Sequence, residues 1–353
     1  MLRVALLAVL ASLLLAPTAS AQEAFPDWFR WGVATAGFQS EAGGSPANAD
    51  RRSDWWVWTH DRDNIAAGRV TDDRVERGPG SWRVWRRDVR LAAGLGSDVF
   101  RMGVEWSRVF PRSTAGARSL AQLDRLADKR ALRHYARVLR GVRARGMTPY
   151  VTLSHFSLPT WIHDPIAARE ALGAVGPDDP IPSWSRPRGW LSGATVREFR
   201  KYASYLAWKL GGLVDMWTPI NEPLVVAASG YVNVPGVVAG YFPPGALSFD
   251  GAITAVRNLV RANAVAYDAV KRHDRRAQVG LVQNMIAFTP ADPTAAADVA
   301  AAANADRLFN RLFLDAAVDG VVDENADGDV DPGERQPGLG HKADFVGVNY
   351  YFR

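Results

Sequence analysis

Six runs of apolar, β-branched and aromatic residues, spaced roughly 50 to 70 residues apart, constrain the fold of this chain most. They are Arg30–Gly37, Asp98–Trp106, Met147–Phe156, Met216–Pro223, Gln278–Phe288 and Asp344–Phe352. Most are continuously apolar, which is the pattern of strands covered on both faces of a parallel sheet. Between them lie stretches of helical spacing: Trp82–Leu95, Leu132–Arg145, Thr195–Leu210, Gly251–His273 and Ala296–Val318. The third of these sets Phe199, Tyr202, Leu206 and Leu210 on one face. Alternating strand and helix predict right-handed crossovers and an α/β fold. A length of 353 residues suits one large barrel of the TIM (β/α)8 type, with about six of its eight βα units present in this chain.

The strand-like runs end on polar or aromatic residues. These are Gln39 and Glu41, Glu105 and Arg108, His155, Asn221 and Glu222, Gln283 and Asn284, and Asn349 and Tyr351. In a barrel such ends form the active face. Gly173–Arg188, rich in Gly, Pro and Asp, reads as a long loop on that face. The fourth run closes on Asn221-Glu222-Pro223. A glutamate at a strand mouth, between an amide and a proline, suits a general acid in sugar cleavage, a chemistry that needs a second carboxylate. Structural readings stand beside this one. Glu222 would be a strand-end ion-pair partner, Arg101 an ion pair under the barrel and His155 a satisfied core histidine. Gln39 would cap a loop, and Asn349 and Tyr351 would pack a strand end. Glu105 reads as structural.

The formal net charge is +5, and arginine supplies most of the positive charge beside Asp and Glu. The densest basic stretch, Arg130–Arg145, reads as a solvated helix face, so no nucleic-acid partner is predicted. There are no cysteines, which excludes disulfides, thiolate metal sites and a Cys nucleophile. Residues 1–21 read as a secretory signal peptide: Arg3, an apolar run Val4–Leu15, then Ala19-Ser20-Ala21. The mature domain is then 22–353, beginning at Gln22. The expected location is secreted, periplasmic or extracellular, with no membrane association after cleavage. An uncleaved anchor is the alternative.

Asp323 to Glu334 matches a calcium loop of the EF-hand type. Asp323, Asn325 and Asp327 fall at loop positions 1, 3 and 5, and Gly328 takes the turn at 6. Asp329 offers its carbonyl at 7, Asp331 sits at 9 and Glu334 closes the loop at 12. The expected role is structural, in a helix-to-strand connection away from the catalytic face. The alternative is a solvated acidic turn.

Five motifs in order carry a family resemblance. They are Phe25-Pro26 with Trp31-Gly32-Val33-Ala34-Thr35-Ala36-Gly37-Phe38-Gln39-Ser40-Glu41, then Phe100-Arg101-Met102-Gly103-Val104-Glu105-Trp106-Ser107-Arg108-Val109-Phe110-Pro111. Thr152-Leu153-Ser154-His155-Phe156-Ser157-Leu158-Pro159, Thr218-Pro219-Ile220-Asn221-Glu222-Pro223 and Asp344-Phe345-Val346-Gly347-Val348-Asn349-Tyr350-Tyr351 follow. Together they resemble glycoside hydrolase family 1, the retaining β-glucosidase and β-galactosidase family, from about Phe25 to Arg353. The resemblance implies that Glu222 is the acid/base and that Asn221 bonds the sugar 2-hydroxyl. It implies that Gln39 and His155 hold other hydroxyls, and that Arg101, Asn349 and Tyr351 surround the nucleophile. Trp161, Trp184, Trp190, Tyr231 and Tyr241 are candidate sugar-stacking rings.

The sequence departs from the family at Phe156 and Ser157, at Met102-Gly103, and at Arg261-Ala262-Asn263-Ala264. The family's nucleophile is a glutamate on a seventh strand, and this sequence ends after the sixth run. Asp323-Glu324-Asn325-Ala326-Asp327-Gly328 resembles that motif faintly but precedes the sixth run. The expectation is a C-terminally incomplete retaining β-glycosidase with no catalytic cofactor, acting on a β-linked glycoside or oligosaccharide and inactive alone. An inverting mechanism, a non-catalytic carbohydrate-binding relative and a calcium-stabilised surface interaction protein are the alternatives. Sugar epimer and aglycone stay open.

Overall fold

The continuous apolar runs become short parallel strands. A computed structural model describes residues 25–233, 241–323, 325 and 327–351. The leader 1–21 with Gln22, and the last residues Phe352 and Arg353, lie outside the described residues. The strands are β1 (Gly32–Ala34), β2 (Val99–Gly103), β3 (Thr148–Ser154), β4 (Met216–Ile220), β5 (Gln278–Val279), β6 (Leu281–Asn284) and β7 (Val346–Asn349). β1 to β5 pair in sequence order and β6 pairs with β7, every ladder parallel. The fifth run is one strand broken at Gly280. The Gly280 amide still bonds Trp217 O on β4, while Leu281 turns its amide to Phe345 O. A Cβ on Gly280 would lie 2.4 Å from Phe345 O, so only glycine admits this change of partner. Six strand positions of a TIM-type barrel are thereby filled in sequence order.

Burial follows position. All but the first residue of β3 are buried, as expected for a central parallel strand. β1 and β7 are partly exposed and are paired on one side only among the described residues. The helices lie where the spacing predicts, each end within three residues of the expected one: Ser81–Gly94, Lys129–Arg143, Gly193–Leu210 and Phe249–His273. Side-chain caps fix their starts. Asp128 accepts from the amides of Arg130 and Ala131, Ser192 from Ala194 and Ser248 from Gly251. The stretch predicted as one helix over Ala296–Val318 is two, Ala296–Asp306 and Leu312–Asp319, joined through a wider π turn at Arg307–Arg311.

The core lies between sheet and helices. Tyr135, Leu139 and Val142 come from one helix, and Phe199, Tyr202 and Leu206 from the next. Trp106, just after β2, stacks on Tyr202 with centroids 5.2 Å apart. The same helix Lys129–Arg143 turns Arg130, Arg133, Arg137 and Arg140 outward at three- and four-residue spacing, the solvated face that was expected. The described residues from Gly32 onward form one compact unit. Before it, Phe25, Phe29 and Trp31 pack their rings on one another. No helix among the described residues is long and apolar enough to cross a membrane.

Candidate functional site

β4 delivers Asn221 and Glu222 to the end of the sheet, and its neighbours pin them there from both sides. The Asn221 amide donates to Ser154 O on β3 at 2.9 Å, and the Glu222 amide donates to Val282 O on β6 at 2.8 Å. The next helix begins at once with Pro223, whose fixed φ suits a first helical position. Satisfying both ladders and turning into the helix leaves Glu222 at φ 47°, ψ 60°. That left-handed conformation is uncommon for a residue with a Cβ and costs on the order of 1–3 kcal/mol. Phe156, which follows His155 at the end of β3, is likewise left-handed, with φ 75°. Strained backbone at two adjacent strand ends is typical of a site whose side chains must point in set directions. Glu222 and Asn221 are only 6% and 1% exposed.

Polar side chains from four strands meet at this pair. Arg101 on β2 donates from Nε to Thr152 Oγ1 at 2.9 Å and from Nη2 to Asn221 Oδ1 at 2.7 Å. Its guanidinium lies 5.2 Å from the Tyr150 ring centroid. Burial lowers the Arg101 pKa, and the charges of Tyr150, Glu222 and Tyr351 partly offset that. Asn349, on β7, donates to Glu222 Oε1, and Tyr351 donates to the same oxygen at 3.2 Å. The resemblance implies a place around the nucleophile for these two residues, and in this structure both reach Glu222.

His155 Nε2 sits 3.5 Å from Asn221 Nδ2, and its Nδ1 is buried without a partner. Burial, then the Arg101 charge, pushes the imidazole down to about 3, so the ring is neutral across the physiological range. Gln39 is exposed on the short helix Gly37–Glu41, and no hydrogen bond ties it to the cluster.

Glu105, expected to be structural, braces the loops that carry Gln39 and His155. Its Oε1 accepts the Phe38 amide at 3.0 Å, and its Oε2 lies 2.6 Å from Ser157 Oγ. Gly37 must be glycine, because a Cβ there would lie 2.2 Å from Glu105 Oε1. Burial, then the nearby Glu41 charge, raises Glu105 to about 8. Beside it, Glu41 accepts from Arg108 Nε at 2.5 Å and from the Tyr135 hydroxyl at 2.9 Å.

The rings around the cluster are not those expected. Trp190 and Tyr231 are 3% and 2% exposed and belong to the core, so neither stacks on a ligand. Trp161 spends its indole N–H on Phe110 O. Trp184 carries the Arg188 guanidinium over its ring, and Tyr241 is exposed. An unforeseen group lies beside His155: Phe156 and Trp55 each pack edge-on or tilted against Phe242, and Phe38 packs on Trp55. The sequence signal for Trp55 was its place in the aromatic run Asp54–Trp58. Phe242 carried none.

The acidic loop folds on itself. Gly328 N donates to Asp323 Oδ2 at 3.0 Å, Asp327 N to Asn325 Oδ1 at 3.2 Å and Asp329 N to Asp327 Oδ1 at 2.9 Å. Asn325 Nδ2 reaches Asp327 and Asp331, and Asp331 N donates to Glu334 Oε2. Asp323 pairs with Arg307 through Oδ2, while its Oδ1 is buried without a partner. Among the described residues no three carboxylates or imidazoles converge as a metal site would require. Glu324 and Ala326 lie outside the described residues.

Comparison with known proteins places this geometry. The model of glycosyl hydrolase family 1 matches residues 21–168 and 184–353. A β-galactosidase of Pyrococcus woesei is 36% identical over 364 residues, covering 93% of this chain and 67% of that protein. A β-galactosidase of Saccharolobus solfataricus is 36% identical over 346 residues, covering 93% and 66%. The crystal structure of the β-glycosidase from Thermosphaera aggregans superposes with a TM-score of 0.81 at 37% identity, covering 93% of this chain and 67% of that one. The chain spans about two thirds of the length of these relatives.

Proposed function

Because the chain belongs to glycosyl hydrolase family 1, we propose that it hydrolyses β-linked glycosides by a retaining, double-displacement mechanism with Glu222 as acid/base. The supporting observation is one buried carboxylate at a strained strand end, held by Asn349 and Tyr351 beside the Arg101–Asn221 pair. Glu222 gives its proton to the leaving glycosidic oxygen and later takes one from the attacking water. Asn221 bonds the sugar 2-hydroxyl, a contact that strengthens as oxocarbenium character develops. His155, neutral, and Gln39 bond hydroxyls elsewhere on the ring.

A nucleophile is also required, at about 5–5.5 Å from the acid/base. Among the described residues no second carboxylate hydrogen-bonds into the cluster, so the proposal assigns the nucleophile to a glutamate encoded beyond residue 353. The same observation favours the second reading, a carbohydrate-binding relative without a nucleophile. The coding sequence past the Arg353 codon separates them: a further strand bearing a glutamate supports hydrolysis, and a stop codon supports binding. In the protein extended through any such sequence, Glu222→Gln should cut hydrolysis of alkyl glycosides far more than that of activated aryl glycosides. Equal losses would remove Glu222 from the acid/base role.

Two accessory readings belong with this proposal. The leader residues Arg3, Val4–Leu15 and Ala19-Ser20-Ala21 support export from the cytoplasm. The position-by-position match of Asp323–Glu334, and the unpartnered Asp323 Oδ1, support a structural calcium ion in that loop, for which Arg307 is the competing cation.

A further inference from the structure

A groove of about 1160 Å3 runs between the helix Gly193–Leu210, the second half of the helix Phe249–His273 and the segments around Arg118 and Arg186. None of Glu222, Asn221, Arg101 or His155 lines it. Its lining holds seven Arg and Lys residues against two carboxylates, Glu198 and Asp268. Of the seven, Arg186 pairs with Asp164 and Lys201 with Glu198, which leaves five cations in the lining.

Both carboxylates are already satisfied. Glu198 accepts from the Thr114 hydroxyl at 2.6 Å and Lys201 Nζ at 2.7 Å, and Asp268 accepts from Lys342 Nζ at 2.7 Å. Arg118, Arg197, Arg200 and Arg272 are exposed and form no ion pair among the described residues. Burial, then the Arg272 charge, lowers the His273 pKa, so that ring adds no charge near neutral pH. Like charges gathered in one concavity repel one another and focus a positive potential there. Scattered surface arginines on a convex helix, as in Lys129–Arg143, create no such focus.

We propose that this groove binds a segment of an acidic polysaccharide, with carboxylate-bearing sugars lying along the arginines. The volume exceeds the roughly 300–1,000 Å3 of a single-ligand pocket, which fits several linked rings. The cations are arginine in nearly the proportion of the chain at large, and the planar fork of arginine pairs two N–H groups with one carboxylate. A bilayer cannot enter a concave groove. Single-stranded nucleic acid needs a row of aromatic platforms, whereas Trp161 is the one aromatic residue in the lining. The glycosidase reading enters only in choosing a saccharide among polyanions.

The test is a binding titration of the chain with a galacturonic acid oligomer at two salt concentrations. Binding should be salt-sensitive. The Arg197→Ala/Arg200→Ala/Arg272→Ala variant, with unchanged Tm, should bind about tenfold or more weakly and with a shallower salt dependence. A neutral oligosaccharide of equal length should show neither effect. Unchanged affinity in the triple variant, absence of binding, or tighter binding of a single-stranded oligonucleotide of equal charge each overturns the proposal. Glu222→Gln should leave galacturonate binding intact. If the catalytic reading fails while binding still tracks the arginines, only the catalytic reading falls.

Discussion

Arg101 donates from Nη2 to Asn221 Oδ1 at 2.7 Å and Asn349 Nδ2 reaches the same oxygen at 3.4 Å, so the orientation of the Asn221 amide is fixed. With Oδ1 taken, Nδ2 is the group left for a substrate oxygen. Arg101 is itself fixed by Thr152 Oγ1, so strands β2, β3 and β4 act together on one amide.

In the protein extended past residue 353, Arg101→Met should therefore act through Asn221. Losing a charge-assisted hydrogen bond is worth about 1.5–3 kcal/mol, or roughly 10- to 100-fold in kcat/KM. The informative readout is the ratio of rates on a glycoside and its 2-deoxy analogue. That ratio should shrink in Arg101→Met and in Asn221→Ala to a similar extent. If Arg101→Met slows both substrates equally and the ratio holds, the bond does not orient the 2-hydroxyl contact.

Glu105 predicts a pH dependence of stability. Its folded pKa of about 8 lies above the ordinary 4.5. The folded state therefore holds a proton that the unfolded chain releases, and stability falls as pH rises from about 4.5 to 8. The slope attributable to this group is at most about 1.4 kcal/mol per pH unit. Glu105→Gln mimics the protonated form. Its oxygen can accept from Phe38 and its amide can donate to Ser157, so it should flatten the decline in Tm. Glu105→Ala leaves the Phe38 amide unpaired and should lower stability throughout, by about 1–3 kcal/mol, read as a lower Tm at every pH. An unchanged slope in Glu105→Gln would assign the titration to Glu41, whose pKa burial also raises.

The six strand positions were legible because parallel strands buried on both faces leave long apolar runs, and β2, β3 and β4 fall inside theirs. Their ends were less legible, because the last residues of a run can leave the ladder to carry a side chain such as that of His155. The break at Gly280 depends on the approach of Phe345, some 65 residues away, and no local pattern encodes it. Glu222 and Asn221 stood out because polar groups at the ends of apolar runs must have a reason to be there, whereas Arg101, in mid-strand, was singled out by the family resemblance. Trp190 and Tyr231 were misjudged for the converse reason. A large ring near a strand end looks the same in sequence whether it faces a ligand or the core, and here both face the core. The role of Asn349 and Tyr351 on Glu222 follows from the register of β7 against β6, which only the fold supplies.

The acidic loop gives a prediction independent of catalysis. Calcium that binds only the folded chain must stabilise it, by about 1.4 kcal/mol at tenfold saturation. Affinities of extracellular calcium modules are about 10⁻⁴–10⁻³ M, so millimolar calcium should raise Tm and a chelator should reverse the shift. Binding must draw Asp323 away from Arg307, because that carboxylate cannot serve both cations fully. Arg307→Ala should then lower stability without calcium and restore it with calcium, while Asp323→Asn and Glu334→Gln should abolish the response. The three variants separate ligation from general screening, since added salt acts on all of them alike. If chelator leaves the Tm of the calcium-treated protein unchanged, the loop is an acidic turn held by Arg307.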